Sequence, residues 1–536
     1  MSNKKKCIIS FMLILFFSVI YMLPSMVTKN IYHFTDQDTA FHLSRINGLS
    51  NAFSSPVNFN NFGGNGTAMN VFYPWLTLYP AYILLQITGN LVVTYNLYYL
   101  FFTIITMTLS YVCMYKIQKS HFSAIVFSLI YSFASYRSTD IYFRGSLGEA
   151  IALTFMPLIF LGCYYIFFSD YKKWYWLTIG MTLTVYTHLL SVLLNVLIIF
   201  IVFLLSIYLK NDKKERIFAL IKATTCTLFL SAAVFIPMFQ QSNFVELKVP
   251  KGGTLRGLSV SEYLSATLNN NLSYFGIGFI LFFLTIHTYN RRKNLTKFNL
   301  FVFFMGVLII YTSTSLFPWF IIQKTPLTVI QFSWRLTAYA TLFLSYTGSI
   351  SLTSYTETRR KKINKLLFIS AFVILIHVVS VEHLITQDGK DIYNSNEANL
   401  VSQSYIHTDY ANEKSLNNSD MLRKKEFIIN DVPQNVDFSI TASTFSFSYD
   451  NNSNQPVNII TPLYFYKGQV VQQNGEKINS SLSKYGTTQF KLGTGKSTIK
   501  IFYKYTKLAR FAQIISLVSV ILFILYLLKK ISFQKR

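Results

Sequence analysis

Charged residues are scarce in this chain, and acidic residues are the scarcest. Only 13% of the 536 residues are charged, and 22 acidic residues stand against 48 basic ones. Soluble domains carry about 25% charged residues, so the composition excludes an ordinary soluble globular protein. Hydrophobic residues make up 52% of the chain and recur in runs long enough to cross a bilayer. The sequence therefore predicts a polytopic membrane protein that is mainly α-helical.

Cysteine is also rare, and the common metal and nucleotide motifs are missing. The four cysteines are far apart in or beside apolar runs, which excludes a disulfide framework and a cysteine metal site: Cys7, Cys113, Cys163 and Cys226. Without a Walker loop, HExxH or paired CxxC, the sequence gives no support to ATP-driven or zinc-protease chemistry. The net charge of +26 does not indicate nucleic-acid binding, because the basic residues cluster in short loops between apolar runs.

The basic loops predict the topology. Apolar runs divide the chain into about twelve transmembrane helices, expected at 7–27, 91–115, 121–136, 149–168, 174–188, 190–209, 217–238, 272–289, 298–315, 334–353, 365–381 and 511–528. The basic loops at 116–119, 172–173, 210–216, 291–297 and 359–365 and the tail 529–536 then all face the cytoplasm. Both termini are expected on the cytoplasmic side of a bacterial plasma membrane, with an uncleaved first span. Residues 71–88 would reverse this parity, so an interfacial or re-entrant helix is predicted there.

This topology predicts three regions. Residues 1–381 form a multi-span domain with a long first extracellular loop at 28–90, residues 382–510 form an extracellular domain, and residues 511–536 form the last helix and a basic tail. The second half of the extracellular domain alternates polar and apolar residues, as in Phe445–Tyr449 and Thr498–Ile501. Turn signals such as Asn474-Gly475 separate these runs, so a small β-sandwich is predicted.

The first outer loop carries the strongest chemical signal. Four ionisable residues lie within ten positions after the first span: Asp36, Asp38, His42 and Arg45. If this segment is helical, Asp38, His42 and Arg45 share one face. This cluster is the best place in the chain to look for chemistry, and Asp36 and Asp38 could together hold a divalent cation such as Mg²⁺ or Mn²⁺. The competing interpretation is an exposed loop in which Thr35 caps a short helix.

Three arginines are predicted at the outer face, where the positive-inside rule makes them unusual. Arg144 lies shortly before Glu149, Arg335 begins the tenth span, and Arg256 lies in a glycine-rich loop. A guanidinium group binds phosphate through parallel hydrogen bonds, so these arginines are candidates for holding an anionic lipid phosphate. The alternatives are that Arg144 pairs with Glu149 or Asp140, and that Arg335 snorkels to lipid headgroups.

At these residues the chain resembles the membrane proteins known as 6-pyruvoyl-tetrahydropterin synthase-related. The motifs are Asp-x-Asp-x-x-x-His-Leu-x-Arg-Ile at 36–46, Phe72-Tyr73-Pro74, Arg144 with Glu149 and Pro157, Thr187-His188-Leu189-Leu190, and Gln331-Phe332-x-Trp334-Arg335. Members of the group often have proline at the position of Ser333. The stretch from Tyr464 to Gly475 is similar to the outer β-domain of YfhO-type proteins. Nothing in the sequence indicates pterin chemistry.

Both groups resemble GT-C glycosyltransferases, which are multi-span enzymes that use polyprenyl-phosphate sugars. The resemblance implies a GT-C-like fold and sugar transfer from such a donor to a cell-envelope glycopolymer or glycolipid. In these enzymes a carboxylate in the first outer loop is the catalytic base, which assigns that role to Asp36 or Asp38. Asp38 is the first choice, because it shares the predicted helical face with His42 and Arg45, and Asp36 is the alternative. His42 is the third expected catalytic residue, and the substrate-binding residues are expected to be Arg45, Arg144, Glu149, His188, Arg256, Gln331 and Arg335.

Two functions of other classes stay open. A transporter or flippase for a lipid-linked saccharide would need ionisable residues near mid-membrane, whereas the sequence places its charges at one rim. A cell-envelope assembly scaffold would use the β-domain as its working part. His188, at the end of the fifth predicted span, either lines the site or is a buried, hydrogen-bonded residue.

Overall fold

The computed structural model describes residues 2–207, 211–250, 253–353 and 358–535. Lys210 and Arg536, both expected on the cytoplasmic side, lie outside these ranges. The chain forms two compact units. Unit 1 comprises Met1–Thr39, Leu84–Thr227 and Lys251–Ser395, and unit 2 comprises Ala40–Ile83, Leu228–Pro250 and Asn396–Arg536. Each unit is therefore assembled from three separate stretches of sequence.

Helices account for most of the described chain. They are α1 (Asn3–Thr28), α2 (Thr39–Asn47), α3 (Met69–Phe72), α4 (Tyr79–Thr88), α5 (Leu91–Gln118), α6 (His121–Ser132), α7 (Ser135–Ser138), α8 (Leu147–Cys163), α9 (Tyr175–Val185), α10 (Leu189–Ser206), α11 (Lys213–Leu230), α12 (Ala232–Ser242), α13 (Val260–Leu268), α14 (Phe279–Asn290), α15 (Lys297–Ser313), α16 (Trp319–Ile322), α17 (Thr337–Thr353), α18 (Arg359–Thr386), α19 (Ser395–Ser404), α20 (Glu413–Leu416), α21 (Ser419–Lys424) and α22 (Lys507–Lys535). Two π-helical turns occur at Thr139–Phe143 and Tyr164–Phe168, and 3-10 turns occur at Phe62–Gly64, Tyr171–Lys173, Arg292–Asn294, Pro326–Ile330 and Ser333–Leu336.

Six helical segments among the described residues are long and apolar enough to cross a membrane: Asn3–Thr28, Leu91–Gln118, Leu147–Phe168, Leu189–Ser206, Arg359–Thr386 and Lys507–Ser532. The broken pair α11 and α12 would make a seventh span, and α6, α14 and α15 are apolar but shorter. Each of the twelve expected spans overlaps a described helix, although the expected span 272–289 is helical only from Phe279. The number twelve is not confirmed, because several of these helices fall short of the roughly 20 residues that cross a bilayer core.

The apolar segment 71–88 is not one continuous helix. α3 ends at Phe72 and α4 begins at Tyr79, with Pro74 between them. α4 contains ten residues and is about 15 Å long, roughly half the thickness of a bilayer core. This length excludes a straight crossing by α4, and the interfacial or re-entrant placement of residues 71–88 stays a prediction.

The predicted β-rich region is confirmed in unit 2. A sheet of order β10-β11-β7-β3-β4 and a sheet of order β5-β6-β12-β8-β9 are both antiparallel, and their strands are β3 (Phe427–Ile429), β4 (Val432–Gln434), β5 (Phe438–Ile440), β6 (Thr444–Asn451), β7 (Val457–Tyr464), β8 (Gln469–Gln473), β9 (Glu476–Ile478), β10 (Ser480–Leu482), β11 (Thr487–Leu492) and β12 (Gly495–Tyr503). Buried residues of the two sheets share one core, with Ile459 and Phe490 from the first and Phe445 and Ile501 from the second. The two sheets therefore pack face to face as a sandwich.

The hairpin between β8 and β9 has the turn that its sequence predicts. Gln473 pairs with Glu476, and the two residues between them are Asn474 and Gly475. Both have positive φ angles, +52° and +93°, as a two-residue type I′ turn requires.

A two-stranded antiparallel sheet in unit 1 leads into the candidate site. β1 (Ile31–Phe34) pairs with β2 (Lys390–Tyr393), and Ile31 lies opposite Tyr393. His33 stacks on Tyr393, with 5.5 Å between the ring centroids. This pairing anchors the chain immediately before Asp36 and Asp38.

Candidate functional site

The segment after β1 presents the two candidate carboxylates differently. Asp36 lies in a turn with a φ of +61°, and it is exposed. The Asp38 backbone N–H donates to the Arg144 carbonyl oxygen over 2.9 Å, which fixes the position of Asp38. α2 begins only at Thr39, so Asp38 precedes the helix instead of sharing its face. The hydrogen bond to Arg144 therefore holds Asp38 at the start of α2, beside a different part of unit 1.

A glycine allows this close approach. Gly145 has a φ of +56°, in the left-handed region where side chains are disfavoured. A Cβ atom at this position would lie 2.1 Å from Thr39 Oγ1 and 3.0 Å from Thr39 Cα. Any side chain at residue 145 would therefore push the Asp38–Thr39 backbone away from Arg144.

Arg144 is the centre of a buried ion-pair network. Its Nη1 donates to Asp140 Oδ1 over 2.7 Å and to Glu149 Oε2 over 2.8 Å. Its Nη2 lies 3.6 Å from Asp38 Oδ2, and the Asp38 side chain is 46% exposed. The π-helical turn Thr139–Phe143 carries Asp140 and the first turn of α8 carries Glu149, so local sequence brings these groups together. Asp38 is the member of this network that solvent or a substrate can reach.

Arg335 joins the network from a distant part of the chain. It lies in the 3-10 turn before α17, and its Nε is 3.4 Å from Glu149 Oε2. Its Nη1 donates to Gln331 Oε1 over 2.6 Å and to the Ile330 carbonyl oxygen over 3.1 Å. Within the described residues the Nε group makes no hydrogen bond. Among the described residues Arg335 therefore has fewer carboxylate partners than Arg144, which lies beside three.

Aromatic side chains cover the network. Trp334 and Phe275 stack with 3.7 Å between their ring centroids, and the Arg144 guanidinium lies 4.6 Å from the Trp334 centroid. The Tyr136 hydroxyl donates to Glu149 Oε1 over 2.6 Å. Such cover excludes water and strengthens the electrostatic interactions beneath it.

The network carries more negative than positive charge. Three carboxylates surround two guanidinium groups, a formal excess of one negative charge. Burial, followed by the charge of Glu149, raises the pKa of the Asp140 carboxyl group above its usual range. Asp140 Oδ2 is buried and has no hydrogen-bond partner within the described ranges. The site therefore favours a bound proton or an incoming positive charge over a second anion at Arg144.

His188 and Arg256 lie at the edges of this site. His188 is the N-cap residue of α10, its Nδ1 is 2.8 Å from Ser191 Oγ, and it is close enough to Glu149 to interact with its charge. The Arg256 carbonyl oxygen accepts a hydrogen bond of 2.7 Å from Ser333 Oγ, next to the Arg335 turn. Arg256 as a whole is exposed. Both residues belong to unit 1, like the ion-pair network.

His42 and Arg45 belong to unit 2. They are 1% and 2% exposed, and Arg45 Nη1 lies 3.3 Å from His42 Nδ1. Arg45 Nη2 donates to the Pro74 carbonyl oxygen over 2.8 Å, and its guanidinium lies 3.7 Å from the Tyr73 ring centroid. The shared helical face thus holds for these two residues, and their contacts fix the Tyr73-Pro74 segment.

Sequence reasoning missed several residues of unit 1 that the structure makes prominent. Tyr136 and Phe275 contact the network through long-range packing, and no local motif signals them. Arg137 is 1% exposed, donates to Thr103 Oγ1 over 2.9 Å and lies 4.7 Å from the Tyr21 ring centroid. For Arg137 the sequence does contain a signal, because an arginine directly after the apolar run 121–136 is unusual.

A divalent cation held by Asp36 and Asp38 stays a prediction. The part of the chain that the structure describes contains no group of three or more His, Cys, Asp or Glu residues that could hold a metal ion. Asp140 and Glu149, the buried carboxylates of the network, are both bound to Arg144. Asp36 and Asp38 offer two carboxylates from one short segment, and one or two carboxylates together with substrate phosphates commonly hold Mg²⁺.

Comparison with known proteins identifies the family. No curated protein matches the chain. Residues 71–387, more than half of the chain, match the family described as 6-pyruvoyl-tetrahydropterin synthase related domain, a membrane protein. This range includes Arg144, Glu149 and Arg335 and ends before the β-sandwich. The chain belongs to the 6-pyruvoyl-tetrahydropterin synthase related family of membrane proteins.

Proposed function

We propose that the protein is a membrane glycosyltransferase of the GT-C type, which transfers a sugar from a polyprenyl-phosphate donor to a cell-envelope acceptor at the outer face. One observation carries the proposal. A half-exposed carboxylate, Asp38, is held 3.6 Å from the buried guanidinium of Arg144, in a network that also contains Arg335. This arrangement supplies a base and a separate cation, the two groups that such a transfer needs.

Asp38 acts as the base in this proposal. Its carboxylate removes the proton from an acceptor hydroxyl, and the hydroxyl oxygen forms a bond to the anomeric carbon of the donor sugar. The bond from that carbon to the phosphate oxygen breaks, and the phosphate leaves with the electron pair. A base must approach the hydroxyl to about 2.6–3.2 Å, and the 46% exposure of Asp38 permits that contact.

Arg335 holds the leaving phosphate, and Arg144 supports the base. Arg144 is surrounded by Asp38, Asp140 and Glu149, so a phosphate there would have to displace a carboxylate. Among the described residues Arg335 forms an ion pair with one carboxylate, Glu149 at 3.4 Å, and its Nε makes no hydrogen bond there. Gln331 orients this guanidinium through the 2.6 Å hydrogen bond to Nη1.

A transporter of lipid-linked saccharides is the second candidate, and Arg137 is the observation that favours it. Its guanidinium is buried among α1, α5 and α6, where Tyr21, Thr103 and the Ser132 carbonyl oxygen contact it. Ionisable groups buried between membrane helices are typical of transport pathways. A transporter would keep its activity when Asp38 is neutralised, because no proton transfer to that carboxylate is needed.

The test uses the purified full chain in liposomes, with an envelope preparation as acceptor. The donor is undecaprenyl phosphate that carries glucose, mannose, galactose or N-acetylglucosamine, and mass spectrometry measures free undecaprenyl phosphate, the common product. Asp38→Asn should lower the turnover by about 10²–10⁴-fold, the typical contribution of a positioned base. Arg335→Ala should instead raise the donor concentration needed for half-maximal turnover.

Asp170→Asn is the matched control, because Asp170 is an exposed aspartate that pairs with Lys173 at 3.5 Å. Its turnover should equal that of the unmodified protein. Full turnover in both Asp36→Asn and Asp38→Asn would contradict the proposal and favour the scaffold function. Retained saccharide transport across the liposome membrane in Asp38→Asn would favour the transporter.

A further inference from the structure

A cleft in unit 1 lies between four helices and is separate from the ion-pair network. α8, α10, α15 and α17 line an open cleft of about 520 Å³, a volume that includes space open to the surroundings. The lining is almost wholly apolar and aromatic, and Ile159, Phe160, Ile199, Phe298 and Phe343 are typical members. α8 and α10 are both long and apolar enough to cross a membrane. A cleft of this kind suits a hydrocarbon chain and not a hydrated ligand.

One buried amide interrupts the apolar lining. Asn195 is 1% exposed, and its Oδ1 accepts a hydrogen bond of 2.8 Å from the Tyr339 hydroxyl. Its Nδ2 is buried and has no hydrogen-bond partner among the described residues. An amide donor left unpaired in apolar surroundings costs about 1–3 kcal/mol in proteins. A ligand that carries a hydrogen-bond acceptor at this depth would satisfy it.

The buried amide lies toward one end of the cleft. Met156 and Phe168 line it from α8 and its π-helical turn, and twelve residues of helix correspond to about 18 Å. Tyr339 lies one helical turn, about 6 Å, after Arg335 and is close enough to Glu149 to interact with its charge. The amide therefore lies at the end nearer the ion-pair network.

We propose that this cleft binds an acyl chain of a glycerolipid, and that Asn195 Nδ2 donates a hydrogen bond to the ester carbonyl oxygen. A glycerolipid has an ester carbonyl at the polar end of each acyl chain, which matches one amide donor toward one end of an apolar cleft. A polyprenyl chain has no acceptor within its hydrocarbon, so it would leave the amide unpaired. The inference does not depend on the proposed sugar transfer.

The test compares an ester lipid with its ether analogue. The delipidated full chain in detergent is titrated with dioleoyl-phosphatidylglycerol and with its dioleyl ether counterpart, which lacks both carbonyl groups, and native mass spectrometry measures occupancy. The unmodified protein should bind the ester lipid about three- to tenfold more tightly, the typical net value of one hydrogen bond. Asn195→Leu should abolish this preference and leave the binding of the ether lipid unchanged.

Asn299→Leu is the matched control. Asn299 is a buried amide that accepts a 2.9 Å hydrogen bond from the Tyr346 hydroxyl, and it does not line the cleft. This variant should keep the preference for the ester lipid. Val202→Trp, which places a larger side chain in the cleft, should weaken the binding of both lipids more than tenfold.

Three outcomes would overturn the proposal. The first is equal affinity of the unmodified protein for the ester and ether lipids, which needs no variant to fold. The second is loss of the preference in Asn299→Leu as well as in Asn195→Leu. The third concerns Cys163, which lines the cleft and is a free cysteine. Protection of Cys163 from a membrane-permeant maleimide by undecaprenyl phosphate, but not by an equimolar amount of the glycerolipid, would show that the polyprenyl lipid occupies the cleft.

Discussion

Neutralising Glu149 should destabilise the protein far more than neutralising Asp38, although both carboxylates face Arg144. Glu149 is 4% exposed, and its oxygens accept hydrogen bonds from the Tyr136 hydroxyl at 2.6 Å and from Arg144 at 2.8 Å. In Glu149→Gln the side-chain NH₂ group can take the place of Oε2. Two hydrogen-bond donors, this group and Arg144 Nη1, would then face each other. Arg335 also loses its only ion-pair partner among the described residues. Removing one partner of a buried ion pair costs about 3–5 kcal/mol.

For Asp38→Asn the structure predicts a much smaller loss of stability. Its side chain is 46% exposed and its pairing distance is 3.6 Å, so water already solvates much of the charge. Exposed ion pairs contribute about 0–1 kcal/mol, and Asp38→Asn should change the free energy of unfolding by no more than that. The loss of unfolding free energy in Tyr136→Phe should lie between those of the other two variants. This change removes one hydrogen bond to a charged group, worth about 1.5–3 kcal/mol, and keeps every charge.

The assay is reversible unfolding of the full chain in mixed micelles, with SDS as the denaturant and tryptophan fluorescence as the signal. Glu476→Gln, a change at an exposed glutamate of β9, is the control and should leave the midpoint unchanged. The expected order of destabilisation is Asp38→Asn, Tyr136→Phe, Glu149→Gln. A Glu149→Gln midpoint equal to that of Asp38→Asn would refute the claim that the network is a buried, mutually dependent structure.

Three further predictions concern backbone strain, pH and topology. Gly145→Ala should lower turnover at least tenfold by displacing Asp38, while costing about 1 kcal/mol or more of stability, as measured by transfer and unfolding assays. Burial lowers the pKa of His407 to about 4, so unit 2 should lose stability as the pH falls from about 6.5 to about 4, because only the unfolded chain binds the proton there. His407→Gln should flatten that pH dependence of the unfolding midpoint, and a slope that persists would assign it to another group. Ser453→Cys, in a background without native cysteines, should react with an impermeant maleimide in intact cells; labelling only after lysis would reverse the predicted orientation.

Local interactions are the part of this structure that sequence reasoning predicts well. The Asn474-Gly475 turn needs only two residues that tolerate positive φ, and the structure shows the predicted hairpin. The pairing of Arg144 with Asp140 or Glu149 is the predicted alternative to phosphate binding, and the structure shows both ion pairs. Both cases depend on chemistry within a few residues of chain, which a single sequence contains.

Long-range packing explains the features that were not predicted. Arg335 reaches Glu149 across 186 residues of sequence, and no periodicity or spacing indicates that contact. The apolar run 121–136 reads as one span, yet the helix ends at Ser132, and α7 and a π-helical turn follow. Hydropathy measures the apolar character of a window and is insensitive to such breaks. The same limit hides Asn195, whose unpaired amide has meaning only beside a cleft built from four helices.

The charge of the network also separates two arginines that sequence reasoning treats alike. Three carboxylates lie against Arg144, whereas Arg335 is paired with Glu149. Glycosyl transfer passes through an oxocarbenium-like state, in which positive charge develops on the sugar ring while negative charge develops on the departing phosphate. In the proposed reaction, the Asp38 side of the network would stabilise the ring and Arg335 the phosphate. Replacing Arg144 should therefore disrupt the position of the base, whereas replacing Arg335 should weaken the hold on the donor.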